Sequence, residues 1–275
     1  TVTRSTPDSS VLSVGQRVLA PTNPDISMTR EIDERECVSL EQDLPSARAM
    51  LVPDLALALA ICASARLELG EIAVYSSGAR HAALIGLVAG WCTGRDVIRI
   101  NFNDGAGVTP AGVQKVDGSD PQRALEIIRR STCNTACFAA IFLSSKSEAM
   151  DVLLEAMPTW GRLVVASRST ESATIDFYNN VHRKGVTVLG MPASPRCMFE
   201  PERRIALSPF LIRAMRVMQN DASRRMCRAH RTYRAHPYRA ARRCSQAARF
   251  RFATRLRRCV SGPEPRTHLH AQLLL

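Results

Sequence analysis

An α/β fold built on an open, doubly wound parallel sheet is predicted by three features of the sequence. Short β-rich runs alternate with helical runs from residue 51 to residue 219. The strand runs are continuous apolar stretches such as CFAAIFL (137–143) rather than alternating ones, the pattern of strands buried on both faces by helices. The apolar fraction of 45% over 275 residues suffices for a sizeable core. Right-handed crossovers then wind such a chain into an open sheet.

Each element has its own local reason. VLSVGQRVLA (11–20) predicts a turn into a short strand, and residues 21–50, polar and rich in Pro and acids, predict mostly loop. In VPDLALALAICASARLELG, Pro53 suits a first helical turn, the apolar run to Leu67 a buried helix, and Gly70 its stop. EIAVY (71–75) is a short strand, ARHAALIGLVAGWC (79–92) a helix, and DVIRI (96–100) a second strand. A Gly- and Asp-rich loop fills 101–119, with a short strand at Val113 to Val116. PQRALEIIRRS (121–131) is amphipathic. The apolar strand 137–143, a helix at 147–157, a strand in RLVVAS, a strand VTVLG (186–190) and a last helix at 207–219 complete the series.

The net charge of +12 is localised. From Asp221 onward lie fourteen Arg and two acids, Asp221 and Glu264, so the first 220 residues are balanced. The basic excess therefore says nothing about the α/β region. In the tail, Arg with interleaved Tyr and Phe is open to three readings: contact with single-stranded nucleic acid, a basic disordered segment, or sequence from a shifted GC-rich frame. Nucleic acid is the least expected partner. Nine scattered Cys argue for reduced thiols. No uninterrupted apolar run of membrane-spanning length and no signal pattern at TVTRSTPDSS are evident. A cytoplasmic location without membrane contact is expected. The chain opens without Met, which suggests a longer parent.

The stretch YSSGARHAAL (75–84) sits where a strand feeds a helix whose free amides can hold a diphosphate. The three glycine places of a dinucleotide turn fall on Ser77, Ala79 and Ala82, with Gly78 between them. Ala79 adds a methyl where phosphate approaches, and Ser77 takes a glycine angle at higher cost. The residue expected to hold the ribose is Asn101, at the end of the second strand. Asn binds a hydroxyl without repelling a 2′-phosphate, and Arg80 and Arg99 are near in sequence, a lean toward NADP. A tight turn with a helix cap and no ligand is an equal alternative. The candidate cofactor contacts are Ser77, Gly78, Ala79, Arg80, His81 and Asn101.

Four longer stretches carry a resemblance. PDLALALAICASARLELGEIAVYSSGARHAALIGLVAG resembles the helix, link, strand and turn of the medium-chain dehydrogenase/reductase family, the zinc-type alcohol and polyol dehydrogenases. VGQRVLAP is similar to that family's strand before its cofactor domain, with Gln16 in place of an acid. SKSEAMDVLLEAMPTWGRLVVAS and TIDFYNNVHRKGVTVLGMP resemble its later helix–strand segments. The resemblance covers residues 11–219. It implies a Rossmann domain at 51–220 binding NAD or NADP, and a remnant of a GroES-like β domain within 1–50. Residues 221–275 lie outside it as a basic tail. It further implies hydride transfer between nicotinamide and a small-molecule alcohol, and a homo-oligomer joined through a sheet-edge strand near Thr174 to Phe177. The family's zinc ligands have no counterparts here: neither Cys nor His occurs before Cys37. No catalytic residue can be carried over, so a non-catalytic dinucleotide-binding module is an alternative.

Other reactive residues have plain readings. Cys133 and Cys137 are four apart, but a tetrahedral zinc site needs a second pair. Cys37 reads as a loop thiol and Cys62 as a core thiol. His182, Arg183 and Lys184 read as a solvated strand edge or as cations facing a cofactor phosphate.

Overall fold

The structure, a computed structural model, describes residues 12–21, 32–76, 82–94, 97–102, 109–132, 139–167 and 174–219. It opens with a two-stranded antiparallel ribbon of β1 (Val18–Leu19) and β2 (Val38–Ser39). The Arg17 guanidinium holds the ribbon to the following turn, donating to the carbonyls of Gln42 (2.9 Å) and Leu44 (2.6 Å). A short helix α1 (Ser46–Ala49) and the long α2 (Val52–Ser64) follow.

The main sheet then forms from β3 (Ala73–Ser76), β4 (Val97–Asn101), β5 (Val113–Asp117), β6 (Ala139–Phe142), β7 (Arg162–Val165) and β8 (Thr187–Gly190). Its order is β5-β4-β3-β6-β7-β8 and every pair is parallel. Renumbered from the first strand of the sheet, this is the 3-2-1-4-5-6 arrangement of the Rossmann fold. Val74 pairs with Ile98 on one side and Ala140 on the other, so the three apolar runs of the sequence lie side by side as expected.

Helices cover both faces. On one side α2, α3 (Ala82–Thr93) and α6 (Pro201–Gln219) share a core with Tyr75, Val97 and Ile141. On the other, α4 (Pro121–Ser131) and α5 (Glu148–Ala156) bury Leu125, Ile128, Leu153 and Leu154 against Val74, Ile98 and Leu163. Sequence dictates these roles. In α4 the carboxylate of Asp120 accepts the Arg123 amide at 3.0 Å, Pro121 occupies the first turn, and Ala124, Leu125 and Ile128 make one buried stripe. By contrast α2 is buried nearly all round, with Leu55, Leu57 and Ile61 fully enclosed. The stretch Ser46–Ser64 is long and apolar enough to cross a membrane by composition alone. Here it packs against α3 and α6 as a core helix.

Three expectations are corrected and one is refined. Gly70 does not stop α2: the helix ends at Ser64, and Arg66 turns the chain with φ 48° while Gly70 (φ 90°) serves the next turn. The reason is tertiary, because Arg162 captures the Ala65 and Arg66 carbonyls at 2.8 and 2.9 Å. The last helix starts at Pro201 rather than 207. Residues 21–50 hold β2, a 3-10 turn at Glu34–Glu36 and α1 among their described residues. Thr174 to Phe177 is not a strand: a π-helix spans Phe177–His182, capped by Asp176 accepting the Asn179 amide at 3.0 Å. The sheet edge on this side is β8, whose four residues are all exposed.

Candidate functional site

In a doubly wound sheet the ligand crevice opens at the carboxyl ends of the strands, where the connections leave in opposite directions. Here that point lies between β3 and β6: the chain leaves β3 for α3 on one face and β6 for α5 on the other. Around it stand Ser76, Asn101, Asp117, Leu143, Ser144 and Ser167, each at or just past the end of its strand. Of the candidate contacts, Ser77, Gly78, Ala79, Arg80 and His81 lie outside the described residues. Asn101 is described and occupies the last position of β4, half-buried.

Asn101 is firmly placed. Its carbonyl accepts the Gly118 amide at 2.8 Å. A Cβ at Gly118 would stand 2.8 Å from the Phe102 ring, which would have to shift to admit it. In register with Asn101 is Asp117, the last residue of β5. Its exposed carboxylate accepts the Ser119 amide at 3.0 Å, and hydrogen bonds from Ser119 hold its pKa below the usual value. The end of β4 carries an amide, and a carboxylate stands one strand over, at the end of β5.

Arg99 is not offered to a cofactor phosphate. It is 2% exposed and donates from Nη1 to Thr109 Oγ1 at 3.0 Å. It pairs across the sheet with Tyr75, whose phenol is fully buried beneath α3 and raised in pKa by burial. The space for that ring comes from Gly86, where a Cβ would meet the Tyr75 hydroxyl at 2.6 Å. Gly86 thus does for helix–strand packing what the third glycine of the turn does elsewhere. Sequence reasoning missed it because it lies one helical turn beyond Ala82, the third glycine place.

A second feature of this edge is a chain of serines. Ser76 Oγ is fully buried and accepts the amides of Leu143 (2.8 Å) and Ser144 (3.0 Å). Ser144 Oγ accepts the Lys146 amide at 3.0 Å, and Ser167 Oγ donates to the Ser144 carbonyl. Past β8 on the same edge is a cavity of about 220 Å³ lined by Pro192, Ser194, Arg196, Cys197 and Arg203 among others. Burial pushes the Cys197 thiol up to about 11, so it is no thiolate nucleophile at neutral pH.

The remaining candidates lie elsewhere. Lys184 precedes β8, at the amino edge of the sheet, and its Nζ donates to the carbonyls of Leu154 (2.8 Å) and Glu155 (3.3 Å). It satisfies the open C-terminal carbonyls of α5 rather than a cofactor phosphate. His182 stacks on Tyr178 with ring centroids 5.7 Å apart. Cys62 and Cys37 are both buried. Cys133 and Cys137 lie outside the described residues. Among the described residues no group of three or more His, Cys, Asp or Glu could hold a metal ion.

No family model matches the chain, and no curated protein matches it. Solved structures do. One is 2R,3R-butanediol dehydrogenase from Bacillus subtilis, at 16% identity over 67% of this chain and 58% of that one, with a TM-score of 0.49. An alcohol dehydrogenase from Thermus sp. ATN1 matches at 12% identity over 66% and 53%, also at 0.49. Benzyl alcohol dehydrogenase from Acinetobacter calcoaceticus matches at 17% over 64% and 52%, at 0.48. The chain spans about half the length of these structures.

Proposed function

We propose that this chain is the dinucleotide-binding half of a nicotinamide-dependent oxidoreductase of the medium-chain type, with NAD(H) rather than NADP(H) as its ligand. One observation carries the reading: the 3-2-1-4-5-6 order puts its switch point at the carboxyl end of β3. That is where the turn resembling a dinucleotide motif begins. The described parts of the crevice fit such a ligand. The end of β3, the helix Ala82–Thr93 and the Asn101–Asp117 pair at neighbouring strand ends support the reading.

The cofactor choice follows from charge. Asp117 accepts hydrogen bonds from ribose hydroxyls and repels a 2′-phosphate, while the Arg99 cation is sequestered. When bound, the nicotinamide supplies the hydride chemistry; this chain's residues bind and orient it. An alcohol or polyol is the substrate class of the whole enzyme. The ribbon of β1 and β2 is the remnant of its second, β-rich domain, and a cytoplasmic setting goes with its reduced thiols. A second reading is dinucleotide binding without turnover, since the sequence offers no counterpart of the resembling family's zinc ligands.

Titration followed by nicotinamide fluorescence tests this. NADH is expected to bind more tightly than NADPH. Asp117→Asn is expected to narrow the gap by about tenfold, one charge–charge interaction at a wet site. Equal affinities in the unaltered chain would remove the role given to Asp117, and no binding of either would remove the cofactor reading. An alcohol-dependent absorbance change at the nicotinamide band separates enzyme from module.

The partner proposed is a second copy joined through β8. This edge strand pairs only with β7 among the described strands, and Val188 and Leu189 are 41% and 36% exposed. Such an edge is a template for another strand. Leu189→Lys is expected to shift sedimentation from dimer to monomer without lowering the melting temperature of the monomer. A monomeric parent chain would end this proposal.

A further inference from the structure

We propose that Ser76 is a positioning residue: it replaces a backbone carbonyl as the acceptor that holds the β6 exit against β3, and so fixes the wall of the switch-point crevice. This deepens the dinucleotide reading and rests on it.

At a switch point two neighbouring strands part, since their connections go to opposite faces. The backbone pairing of β3 with β6 ends at Tyr75 and Ile141. Beyond it the amides of Leu143 and Ser144 would lose their partners as the chain turns toward α5. Ser76 takes both, with one fully buried hydroxyl oxygen at 2.8 and 3.0 Å. That extends the junction along β6 three residues past the last backbone pair, to Ser144. The next strand repeats the device: Ser167, past the end of β7, donates its hydroxyl to the Ser144 carbonyl. Ser144 in turn accepts the Lys146 amide at the start of the turn into α5. Three strand ends are thereby stitched by side chains along the crevice.

Two consequences follow. The Leu143 and Ser144 amides are spent on Ser76, so a ligand draws no hydrogen bond from them. The wall opposite the helix N-terminus is held without a ligand present, which lowers the ordering cost of binding. Ser76 acts through the β6 exit, not by touching the ligand; it is fully buried.

The test uses the full chain with Ser76→Ala, Ser76→Thr and Ser167→Ala. Residue-resolved amide exchange and NADH titration are the two readouts, with thermal melting as a check on folding. Ser76→Ala is expected to speed exchange at Leu143 and Ser144 by about tenfold or more, two hydrogen bonds being lost, while amides in the middle of α2 stay unchanged. NADH affinity is expected to fall about tenfold with it, and Ser76→Thr, which keeps the hydroxyl, to restore both within about threefold. Ser167→Ala is expected to give a smaller change of the same kind. Unchanged exchange at the two amides overturns the stitch, and raised exchange with unchanged NADH affinity overturns the positioning role. An unaltered chain that binds no NADH defeats the cofactor reading and the positioning role with it. The exchange data then still judge the stitch between β3 and β6.

Discussion

Gly86→Val is expected to lower folding stability by roughly 3 kcal/mol, the upper end for overpacking a tight contact, and to melt the protein about 10 °C earlier. The contact is specific. A Cβ at Gly86 would stand 2.6 Å from the Tyr75 hydroxyl and 3.0 Å from two of its ring carbons. Replacing glycine inside a helix ordinarily gains up to about 1 kcal/mol, so the sign rests on whether the ring can give way. It cannot easily do so. Tyr75 is fully buried and its strand is paired on both sides. Gly86→Ala should therefore also destabilise, by a smaller net amount of about 1 kcal/mol. Tyr75→Phe offers the control. The buried phenol oxygen has no hydrogen-bond partner among the described residues, so its removal should be neutral or stabilise by about 1 kcal/mol. In that background Gly86→Ala should be milder, with a coupling of about 1 kcal/mol by double-mutant cycle. A helix pushed off the sheet also moves its N-terminus, so Gly86→Val should weaken NADH binding even where the protein is folded. Urea unfolding curves of the parent and the four variants check the energies. A Gly86→Val chain as stable as the parent would mean that α3 does not sit this close to β3.

The Gly86 contact also marks the limit of what the sequence could tell. Elements with local causes were legible. α4 is predicted at 121–131 and found there, because Asp120, Pro121 and a single apolar stripe define it without outside help. The parallel core was legible because β3, β4 and β6 are each apolar runs too short for helices. Features created by distant partners were not. Gly86 and Gly118 lie against Tyr75 and Phe102, which no spacing rule connects to them. Lys184 read as part of a solvated strand edge or as a cation for a phosphate; only the fold brings it to the carbonyls ending α5. Asp117 went unnoticed because the ribose rule examines one strand end, whereas the sheet places two side by side. Of the candidate contacts, Asn101 alone falls among the described residues, at the last position of β4.

Arg162→Met is the second substitution with a large expected effect, about 3 kcal/mol, and it separates stability from the site. Arg162 begins β7 and does three things with one guanidinium. It donates to the Ala65 and Arg66 carbonyls that end α2, and pairs with Glu71 at 3.1 Å just before β3. Breaking a fully buried ion pair costs roughly 3–5 kcal/mol. Here the side chains are 22% and 15% exposed, so water recovers part of that. The two carbonyls of the helix end add a share, charge-assisted bonds being the stronger kind. Met keeps the apolar stem and removes only the donors. Adding Glu71→Leu should return about half of the loss, since no lone charge is then left, but not the share owed to the helix end. Arg66, held at φ 48° without a glycine, should accept Arg66→Gly with a change of under about 1 kcal/mol, provided that its backbone and not its side chain matters. All of these groups lie at the amino edge of the sheet, opposite the crevice. NADH affinity at a temperature where the chain is folded should therefore stay within about twofold of the parent in Arg162→Met, while the urea midpoint falls. A matching loss of affinity would place the amino edge and the crevice in one cooperative unit and would undo the separation argued from the sheet's polarity.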